Sequence, residues 1–270
     1  MTGRTSDHPL ALACLAFLDV GPEEHVAAAA AAGFDDVTLR VTGTATPTPA
    51  QVGADSRRAH AIRASLDAAG LGVRDVEVLR LVPDLDLDEV ARVVETAAVL
   101  GARHLLVVNG ALERAAATDL VGRVVGVTEG SGVRPCLEPM LFSRCRTLVD
   151  AIETVATTGA GVLVDALHLF RAGSDAHAVR EAARVHGPGL FPYLQVCDAG
   201  MDPPTGDDAL REEAVNGRLL PGEGSLPLTG LLAALPPGLP LSVEAPTRAL
   251  RQQPAGVRAT EAMRAVRALL

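Results

Sequence analysis

Short runs of apolar residues alternate along this chain with longer amphipathic stretches that are rich in alanine. The apolar runs are mostly continuous, which is typical of strands buried on both faces of a parallel sheet. The stretches between them have helical spacing, and several end at a glycine, the preferred residue just past a helix. The predicted strands are residues 9–17, 35–41, 73–81, 103–110, 134–140, 161–169, 190–200 and 239–246, and the predicted helices are residues 22–32, 51–69, 86–100, 112–127, 143–158, 175–186 and 257–269.

This order of elements predicts an α/β protein whose eight strand-helix units close into a (β/α)8 TIM barrel, a single domain over residues 1–270. An open doubly wound sheet is the alternative, but no GxGxxG motif opens any predicted helix. Residues 199–225 are the one long segment expected to be irregular. Because this segment follows the seventh strand, it would lie on the face where barrel enzymes build their active sites.

Four polar residues stand at the ends of four consecutive apolar runs. They are Glu138, Asp165, Gln195 and Glu244. In a barrel the carboxyl ends of all strands open onto one face, so these side chains would converge on one point. One such residue alone would more often be a solvated acid or an ion-pair partner, because an isolated carboxylate is costly to bury. The repetition at successive strand ends instead predicts that the four residues bind one cation.

The predicted ligands are three carboxylates and one amide, all of which offer oxygen atoms. Such a set suits Mn²⁺ or Mg²⁺, with Co²⁺ or Zn²⁺ as alternatives. The sequence therefore predicts one divalent metal ion bound by Glu138, Asp165, Gln195 and Glu244, and hence a metal-dependent enzyme.

Three further residues are candidates for contacting a substrate above this ion. His168 and Arg171 follow Asp165 by three and six residues and are expected on the loop at the mouth of the barrel. Arg218 follows the long irregular segment, where a guanidinium group suits an anionic or hydroxyl-rich substrate. Their alternative roles are structural: a helix cap or packing role for the histidine, a surface ion pair for the first arginine, and anchoring of the loop through Glu223 for the second.

Three other polar residues end the second, third and fourth predicted strands. Arg40, Glu77 and Asn109 are therefore candidates for the same mouth, and Asn109 is a candidate substrate-binding residue. No recognisable motif surrounds any of the three. The six histidines other than His168 share no spacing and are expected on the surface: His8, His25, His60, His104, His177 and His186.

Composition narrows the class of protein. The formal net charge of −9 argues against a nucleic-acid partner or an anionic membrane surface. The chain contains no lysine, which excludes a lysine Schiff base and a P-loop lysine. Its four cysteines have no paired spacing and are expected as buried free thiols. We therefore expect a cytoplasmic enzyme with a small-molecule substrate, no membrane association, and an aliphatic surface that can support a homodimer.

Several segments around these residues match a known pattern. They are CLEPM, LVDALHLFRAG, YLQVCDA, GRLLPGEGSLPL and LSVEAP. With them the chain resembles the xylose isomerase-like TIM-barrel superfamily, the group of sugar phosphate isomerases and epimerases. The resemblance covers most of the chain and is strongest over residues 135–246.

The resemblance implies a role for each residue of the predicted site. The four strand-end residues would bind one divalent ion, and Glu138 and Glu244 would also act as the acid and base of an epimerase. His168 would contact substrate oxygens. The implied activity is that of an isomerase or epimerase of a small polyhydroxylated carbonyl compound, such as a sugar or sugar phosphate. The reaction would proceed by proton abstraction next to the carbonyl, through an enediolate that the metal stabilises.

The chain departs from the commonest family pattern at Gln195, where most members have histidine. Glutamine at this position is similar to the bacterial 3-dehydroshikimate dehydratases of the same superfamily. A metal-dependent lyase of that type is therefore the alternative to an isomerase. A further alternative is a barrel that binds a ligand and has lost catalysis.

Overall fold

The computed structural model describes residues 8–42, 48–53 and 56–270, and it forms a parallel β-barrel surrounded by helices. Over this part of the chain it has nine strands, and every pair of neighbouring strands is parallel. The strands are β1 (Leu10–Leu12), β2 (Asp36–Arg40), β3 (Gly72–Leu81), β4 (Ala102–Asn109), β5 (Arg134–Glu138), β6 (Gly161–Val162), β7 (Val164–Asp165), β8 (Leu194–Val196) and β9 (Leu241–Val243).

The strand order confirms the predicted barrel. Around the sheet the order is β6-β5-β4-β3-β2-β1-β9-β8-β7. Strands β6 and β7 are the two halves of the sixth predicted strand and are separated in sequence by Leu163. The first and last strands of the chain pair directly, with Leu10 opposite Leu241. The chain is therefore a (β/α)8 TIM barrel that is nearly closed.

Helices cover the outside of the barrel. Within the described ranges they are α1 (Pro22–Ala32), α2 (Ser56–Ala69), α3 (Leu87–Leu100), α4 (Arg114–Thr128), α5 (Leu148–Val155), α6 (Ala166–Arg171), α7 (Ala176–His186), α8 (Asp207–Asn216), α9 (Leu228–Leu232) and α10 (Ala255–Leu269), with 3-10 turns at Cys14–Phe17 and Pro188–Leu190. Local capping sets several of their ends. Helix α3 ends at Gly101 with φ 74°, and α5 begins with a capping box formed by Thr147 and Asp150.

Aliphatic side chains fill the core, because the chain has no Trp, one Tyr and five Phe. A large cluster of Leu, Val and Ala packs the strands against the helices. A smaller cluster, on the other face of the strands, fills part of the barrel interior: Leu106, Val108, Cys136, Met140, Leu163 and Tyr193. Polar groups at the nearby strand ends are therefore set against an apolar surrounding.

Two predicted strands are shorter than expected, because helical turns begin inside them. The strand predicted over residues 9–17 changes into the 3-10 turn at Cys14–Phe17. The strand predicted over residues 161–169 ends at Asp165, whose carboxylate accepts a hydrogen bond from the backbone N–H of His168 and caps α6. A run of apolar residues does not by itself distinguish a strand from the first turn of a buried helix.

The expectation of an irregular segment over residues 199–225 is wrong in its middle, where α8 forms. Two predicted helices are also too long. Helix α2 begins at Ser56 rather than near residue 51, and α5 covers only part of residues 143–158. Residues 54 and 55, which the prediction included in α2, lie outside the described residues.

The expectation that six histidines lie on the surface is wrong for His25 and His104, both of which are buried. Burial lowers the pKa of each imidazole to about 4, so both are neutral at pH 7. The four cysteines are buried and free, as predicted. In the part of the chain that the structure describes, no helix has the length and apolarity needed to cross a membrane.

Candidate active site

The four strand-end residues meet at the carboxyl-terminal mouth of the barrel. Glu138 and Asp165 are the last residues of β5 and β7, Gln195 lies within β8, and Glu244 directly follows β9. All four are buried. One oxygen from each of the three carboxylates lies within 4.8 Å of the others. Parallel strands bring these residues together because every strand ends on the same face.

Gln195 contributes an amide to this cluster. Its Nε2 donates a hydrogen bond to Glu244 Oε1 at 2.8 Å. Its Oε1 is buried and has no hydrogen-bond partner among the described residues. An unpaired buried amide oxygen is unfavourable, so this atom is a candidate ligand for a group that enters the site.

Arg218 joins two of the three carboxylates. Its Nη1 lies 2.5 Å from Asp165 Oδ2, and its Nη2 lies 3.0 Å from Glu244 Oε2. Its Nε donates to the carbonyl of Ala214 at 2.8 Å, which ties the guanidinium to α8. The side chain is 2% exposed, so these ion pairs are little screened by solvent. The predicted alternative, an anchor through Glu223, is not among the contacts of this arginine.

The three carboxyl groups differ in their affinity for protons. Burial raises the pKa of Glu138 well above its usual range, and the Glu244 and Asp165 carboxylates raise it further. Burial also raises the pKa of Glu244 to about 8, although Arg218 opposes this shift. For Asp165, burial acts in the same direction but is outweighed by Arg218 and His168, so its pKa is lowered.

His168 lies beside Glu138 on the first turns of α6. Its Nε2 is 3.9 Å from Glu138 Oε1, and its ring meets the edge of the Phe142 ring at a centroid distance of 5.4 Å. Burial lowers the pKa of His168 to about 4, so the imidazole is neutral at pH 7. A neutral imidazole at this position can exchange hydrogen bonds with a polar ligand.

These residues fit a divalent cation. Three buried carboxylates repel one another, and this repulsion is part of what raises the pKa of Glu138. A cation would relieve the repulsion and would also satisfy the unpaired Oε1 of Gln195. The donor set of carboxylate and amide oxygens is the one that hard divalent ions prefer.

Glu138 and Glu244 line a cavity of about 110 Å³ at the mouth of the barrel, together with His168 and Arg218. Its walls combine apolar side chains, among them Leu106, Val108, Met140 and Phe142, with charged ones. A second cavity, of about 130 Å³ and between the 3-10 turn at Cys14–Phe17 and α10, is lined by none of the strand-end residues. We place the site by its chemistry rather than by cavity size.

Two of the residues predicted to bind substrate lie outside this cavity. Arg171 is on α6, where it forms a bidentate ion pair with Glu213 at 2.6 and 2.9 Å and donates to the carbonyl of Gly200. Asn109 is buried, and its amide makes two hydrogen bonds to the backbone of Leu112, at 2.8 and 2.9 Å. In the structure both side chains hold loops at the mouth of the barrel.

Arg40 and Glu77, the weaker candidates, do line the cavity. Their side chains form an ion pair at 3.4 Å. Glu77 Oε1 also accepts hydrogen bonds from Thr38 Oγ1 at 2.9 Å and Cys14 Sγ at 2.7 Å. Glu77 lies in the middle of β3 rather than at its predicted end, so this network ties the end of β2 to the middle of β3 beside the acidic cluster.

The sequence pattern did not predict Arg80, Phe142 and Arg211 as residues of the site, although all three line the cavity. Arg80 is near the end of β3, where the pairing with β4 shifts register between Val76 and Leu79, so simple alternation does not indicate which way it faces. Arg211 lies on α8, within the segment expected to be irregular. Recognising α8 as a helix would have placed this residue near the mouth.

A parallel (β/α)8 barrel with polar residues at successive strand ends defines a class of proteins that act through the carboxyl-terminal face. A model of the xylose isomerase-like TIM barrel family matches residues 26–269. The chain belongs to this family.

Solved structures agree with this assignment at the level of fold. The IOLI protein with a binding zinc atom is 15% identical, with a TM-score of 0.79 and 97% of each chain covered. The D-psicose 3-epimerase with D-tagatose from Clostridium cellulolyticum H10 is 14% identical, with a TM-score of 0.64 and 97% and 96% of the two chains covered. At these identities the likeness concerns the fold alone.

A fusion protein of a xylose isomerase-like TIM barrel and a 4-hydroxyphenylpyruvate dioxygenase is 20% identical, with a TM-score of 0.78. The match covers 96% of this chain and 42% of that one, so the chain spans less than half of the fusion protein. No curated protein sequence matches the chain.

Proposed function

We propose that this protein is a divalent-metal-dependent isomerase or epimerase of a small polyhydroxylated carbonyl compound. One observation carries the proposal: the Glu138, Asp165 and Glu244 carboxylates are buried within 4.8 Å of one another at the mouth of the barrel. Arg218 pairs with Asp165 and Glu244 but not with Glu138, so a bound divalent cation would favour the ionised form of all three carboxyl groups. Glu138, Asp165, Gln195 and Glu244 are the proposed ligands.

When bound, the ion would polarise a substrate carbonyl and stabilise the negative charge that develops when a neighbouring proton is removed. Mn²⁺ or Mg²⁺ suits the oxygen ligands, and Zn²⁺ is the alternative because the IOLI protein of the same fold binds zinc. The protein supplies the geometry: Asp165 is fixed by its hydrogen bonds to Arg218 and to the backbone of His168.

Glu244 and Glu138 are the proposed pair that moves the proton. Arg218 contacts Glu244 at 3.0 Å and makes no ion pair with Glu138, so Glu244 is the easier of the two to ionise. We assign Glu244 as the base that removes the proton on carbon and Glu138 as the acid that returns one. When the environments of two carboxyl groups give them different pKa values, one can act as the base and the other as the acid.

His168 and Arg218 have positioning roles in this proposal. The neutral imidazole of His168, 3.9 Å from Glu138, would hydrogen-bond a substrate oxygen beside the acid. The guanidinium of Arg218 contacts Asp165, Glu244 and backbone carbonyl groups, so it holds the two carboxylates in place. It would therefore act on substrate through the acids that it holds.

The experiment is exchange of carbon-bound hydrogen in D₂O, with D-tagatose and D-fructose as probes and Mn²⁺-loaded protein. We expect deuterium to enter the carbon next to the carbonyl. Glu138→Gln and Glu244→Gln should each reduce exchange at least 100-fold, in keeping with the usual 10²–10⁴-fold contribution of a general acid or base.

Glu95→Gln is the matched control, because Glu95 is exposed on α3 and distant in the fold from the mouth. Normal turnover of an identified substrate by both site variants would refute the assignment. Metal analysis of protein purified without chelator is the second measurement. Absence of any divalent ion, with no gain on adding Mn²⁺, would favour a barrel that binds a ligand without catalysis.

Gln195 supports a second candidate, a lyase of the 3-dehydroshikimate dehydratase type. Its Nε2 donates to Glu244, which leaves Oε1 free to bind the ion. Because position 195 is a glutamine, the four proposed ligands include no imidazole. The same proton abstraction would then be followed by loss of a β-hydroxyl group. Formation of protocatechuate from 3-dehydroshikimate would identify this activity directly.

A further inference from the structure

Two arginines line the active-site cavity without an acidic partner. Arg80 projects from the end of β3 and Arg211 from α8, and both border the cavity that contains Glu138 and Glu244. Among the described residues, neither forms an ion pair within 4 Å. Their positive charges are therefore left uncompensated at the rim of the proposed site.

Arg211 packs against an aromatic ring and forms no ion pair with an acid among the described residues. Its guanidinium carbon lies 4.5 Å from the centre of the Phe142 ring, and its Nη2 is 3.5 Å from the Phe142 carbonyl oxygen. The next two residues of α8 are acids, but both are already engaged. Glu212 pairs with Arg248 at 2.7 Å and Glu213 pairs with Arg171 at 2.6 Å.

Arg80 faces other positive groups. Partial burial lowers its pKa first, the charges of Arg211 and Arg40 lower it further, and Glu138 opposes these effects. Arg40 already has its own partner in Glu77 at 3.4 Å. Together these effects lower the pKa of Arg80. The positive charge at the cavity rim therefore exceeds the negative charge of the acids beside it.

Exposed arginines of the described chain differ in whether an acid lies beside them. Arg184 pairs with Glu181 and Arg264 with Glu261, each on the exposed face of its own helix. Arg80 differs from these arginines in having no acid, and it shares a cavity with a second unpaired arginine. Other exposed arginines, such as Arg103 and Arg251, also form no ion pair among the described residues. Arg80 and Arg211 differ from them because both line the cavity that contains Glu138 and Glu244.

We propose that Arg80 and Arg211 bind an oxyanion, a carboxylate or phosphoryl group, at the end of the substrate that is distant from the reacting carbon. The inference rests on the proposed function, which places the reacting carbon at Glu138 and Glu244. The planar guanidinium fork matches both kinds of oxyanion, because it offers two parallel N–H donors.

The charges of the cavity would also orient such a substrate. Three carboxylates lie at the inner end and two unpaired guanidinium groups lie at the rim. The guanidinium groups would attract an anionic group to the rim, so the carbonyl end of the substrate would enter first. The two arginines would thus determine specificity for anionic over neutral substrates.

The test compares matched anionic and neutral probes by isothermal titration. One pair is D-ribulose 5-phosphate with D-ribulose, and the other is 3-dehydroshikimate with its methyl ester. Each is titrated into Mn²⁺-loaded protein and into metal-free protein. We expect at least tenfold tighter binding for the anionic member of one pair, since a hydrogen bond to a charged group contributes about 1.5–3 kcal/mol, or roughly 10- to 100-fold.

Variants assign the effect to the two residues. Arg80→Met and Arg211→Met should each weaken binding of the anionic probe about 10- to 100-fold and change binding of the neutral probe less than twofold. Arg80→Lys and Arg211→Lys keep the charge without the fork and should recover part of the loss. Arg264→Met, on the outer face of α10, is the matched control for removal of one positive charge.

Equal binding of the anionic and neutral members of both pairs would overturn the inference, as would methionine variants that lose both members equally. Preference for one anionic probe identifies the kind of oxyanion. The outcome is separable from the proposed function. Failure of Mn²⁺ binding, or normal turnover by Glu138→Gln and Glu244→Gln, refutes that function while discrimination by the arginines can still be measured on metal-free protein.

Discussion

Arg218 Nη1 donates to Asp165 Oδ2 across 2.5 Å, and both side chains are almost wholly buried. The two residues are 53 positions apart in sequence. This contact gives the acidic cluster a fixed positive charge of its own, so one of the three carboxylates stays ionised. The remaining two, Glu138 and Glu244, are the ones whose pKa values are raised.

Removing that guanidinium should destabilise the metal-free protein. For Arg218→Met we expect a loss of about 3–5 kcal/mol in the free energy of unfolding, because Asp165 and Glu244 would remain buried without their partner. Urea denaturation at pH 7 measures the loss. Added Mn²⁺ should restore part of it by neutralising the same carboxylates. Unchanged stability without metal would contradict the assigned role of the ion pair, and Arg264→Met serves as the surface control.

Metal affinity should rise with pH. The ligands must be deprotonated to bind an ion, and burial raises the pKa of Glu244 to about 8. We therefore expect Mn²⁺ to bind more tightly as the pH increases from 6 to 8, by up to about tenfold per pH unit for each proton displaced. Calorimetry in two buffers of different ionisation enthalpy reports the protons released. Binding with no proton release would show that both glutamates are already ionised, and Glu244→Gln should release fewer protons than the wild type.

Acid should destabilise the protein through its buried imidazoles. His104 is buried beside Tyr193, its Nδ1 hydrogen-bonds the Arg74 carbonyl at 3.0 Å, and its pKa is about 4. Because this value lies below the usual 6.5, the unfolded chain takes up the proton first. The stability that the neutral ring contributes is complete above pH 6.5 and is lost as the pH falls toward 4.

The variant His104→Gln tests this effect. The difference in free energy of unfolding between wild type and variant should shrink by about 3 kcal/mol from pH 7 to pH 4, since one pKa unit corresponds to about 1.4 kcal/mol. The measurement is denaturation at a series of pH values. A difference that is constant over this range would mean that the ring does not titrate below its usual pKa in the folded protein.

Gln195 should contribute to metal affinity, both as a ligand and through its hydrogen bond to Glu244. Gln195→Leu removes the free Oε1 and the hydrogen bond from Nε2 to Glu244. We expect Mn²⁺ affinity to fall at least tenfold, as it does when groups that support a metal site are removed. Gln195→His restores a ligand atom, should recover binding, and should shift the preference toward Zn²⁺. Wild-type affinity in the leucine variant would remove this residue from the proposed ligand set.

Much of the fold could be predicted because its signals are local. The helix at Pro22–Ala32 has the bounds that the sequence indicated, and the helix at Ala176–His186 begins one residue later than predicted. Continuous aliphatic runs separated by helices favour a parallel sheet, and eight repeats favour its closure. The errors occurred where apolar residues continue from a strand into a helical turn, as at Asp165, where the side chain that caps α6 ends the strand.

The sequence by itself determined which polar residues stand at the strand ends, and parallel topology then requires Glu138, Asp165, Gln195 and Glu244 to share one face. Only the tertiary structure decided their partners. Helix α8 lies within a segment with weak periodicity, yet it supplies Arg211 and precedes Arg218 directly. Contacts of this kind depend on how a distant helix packs over the mouth, and no local pattern in the chain encodes that position.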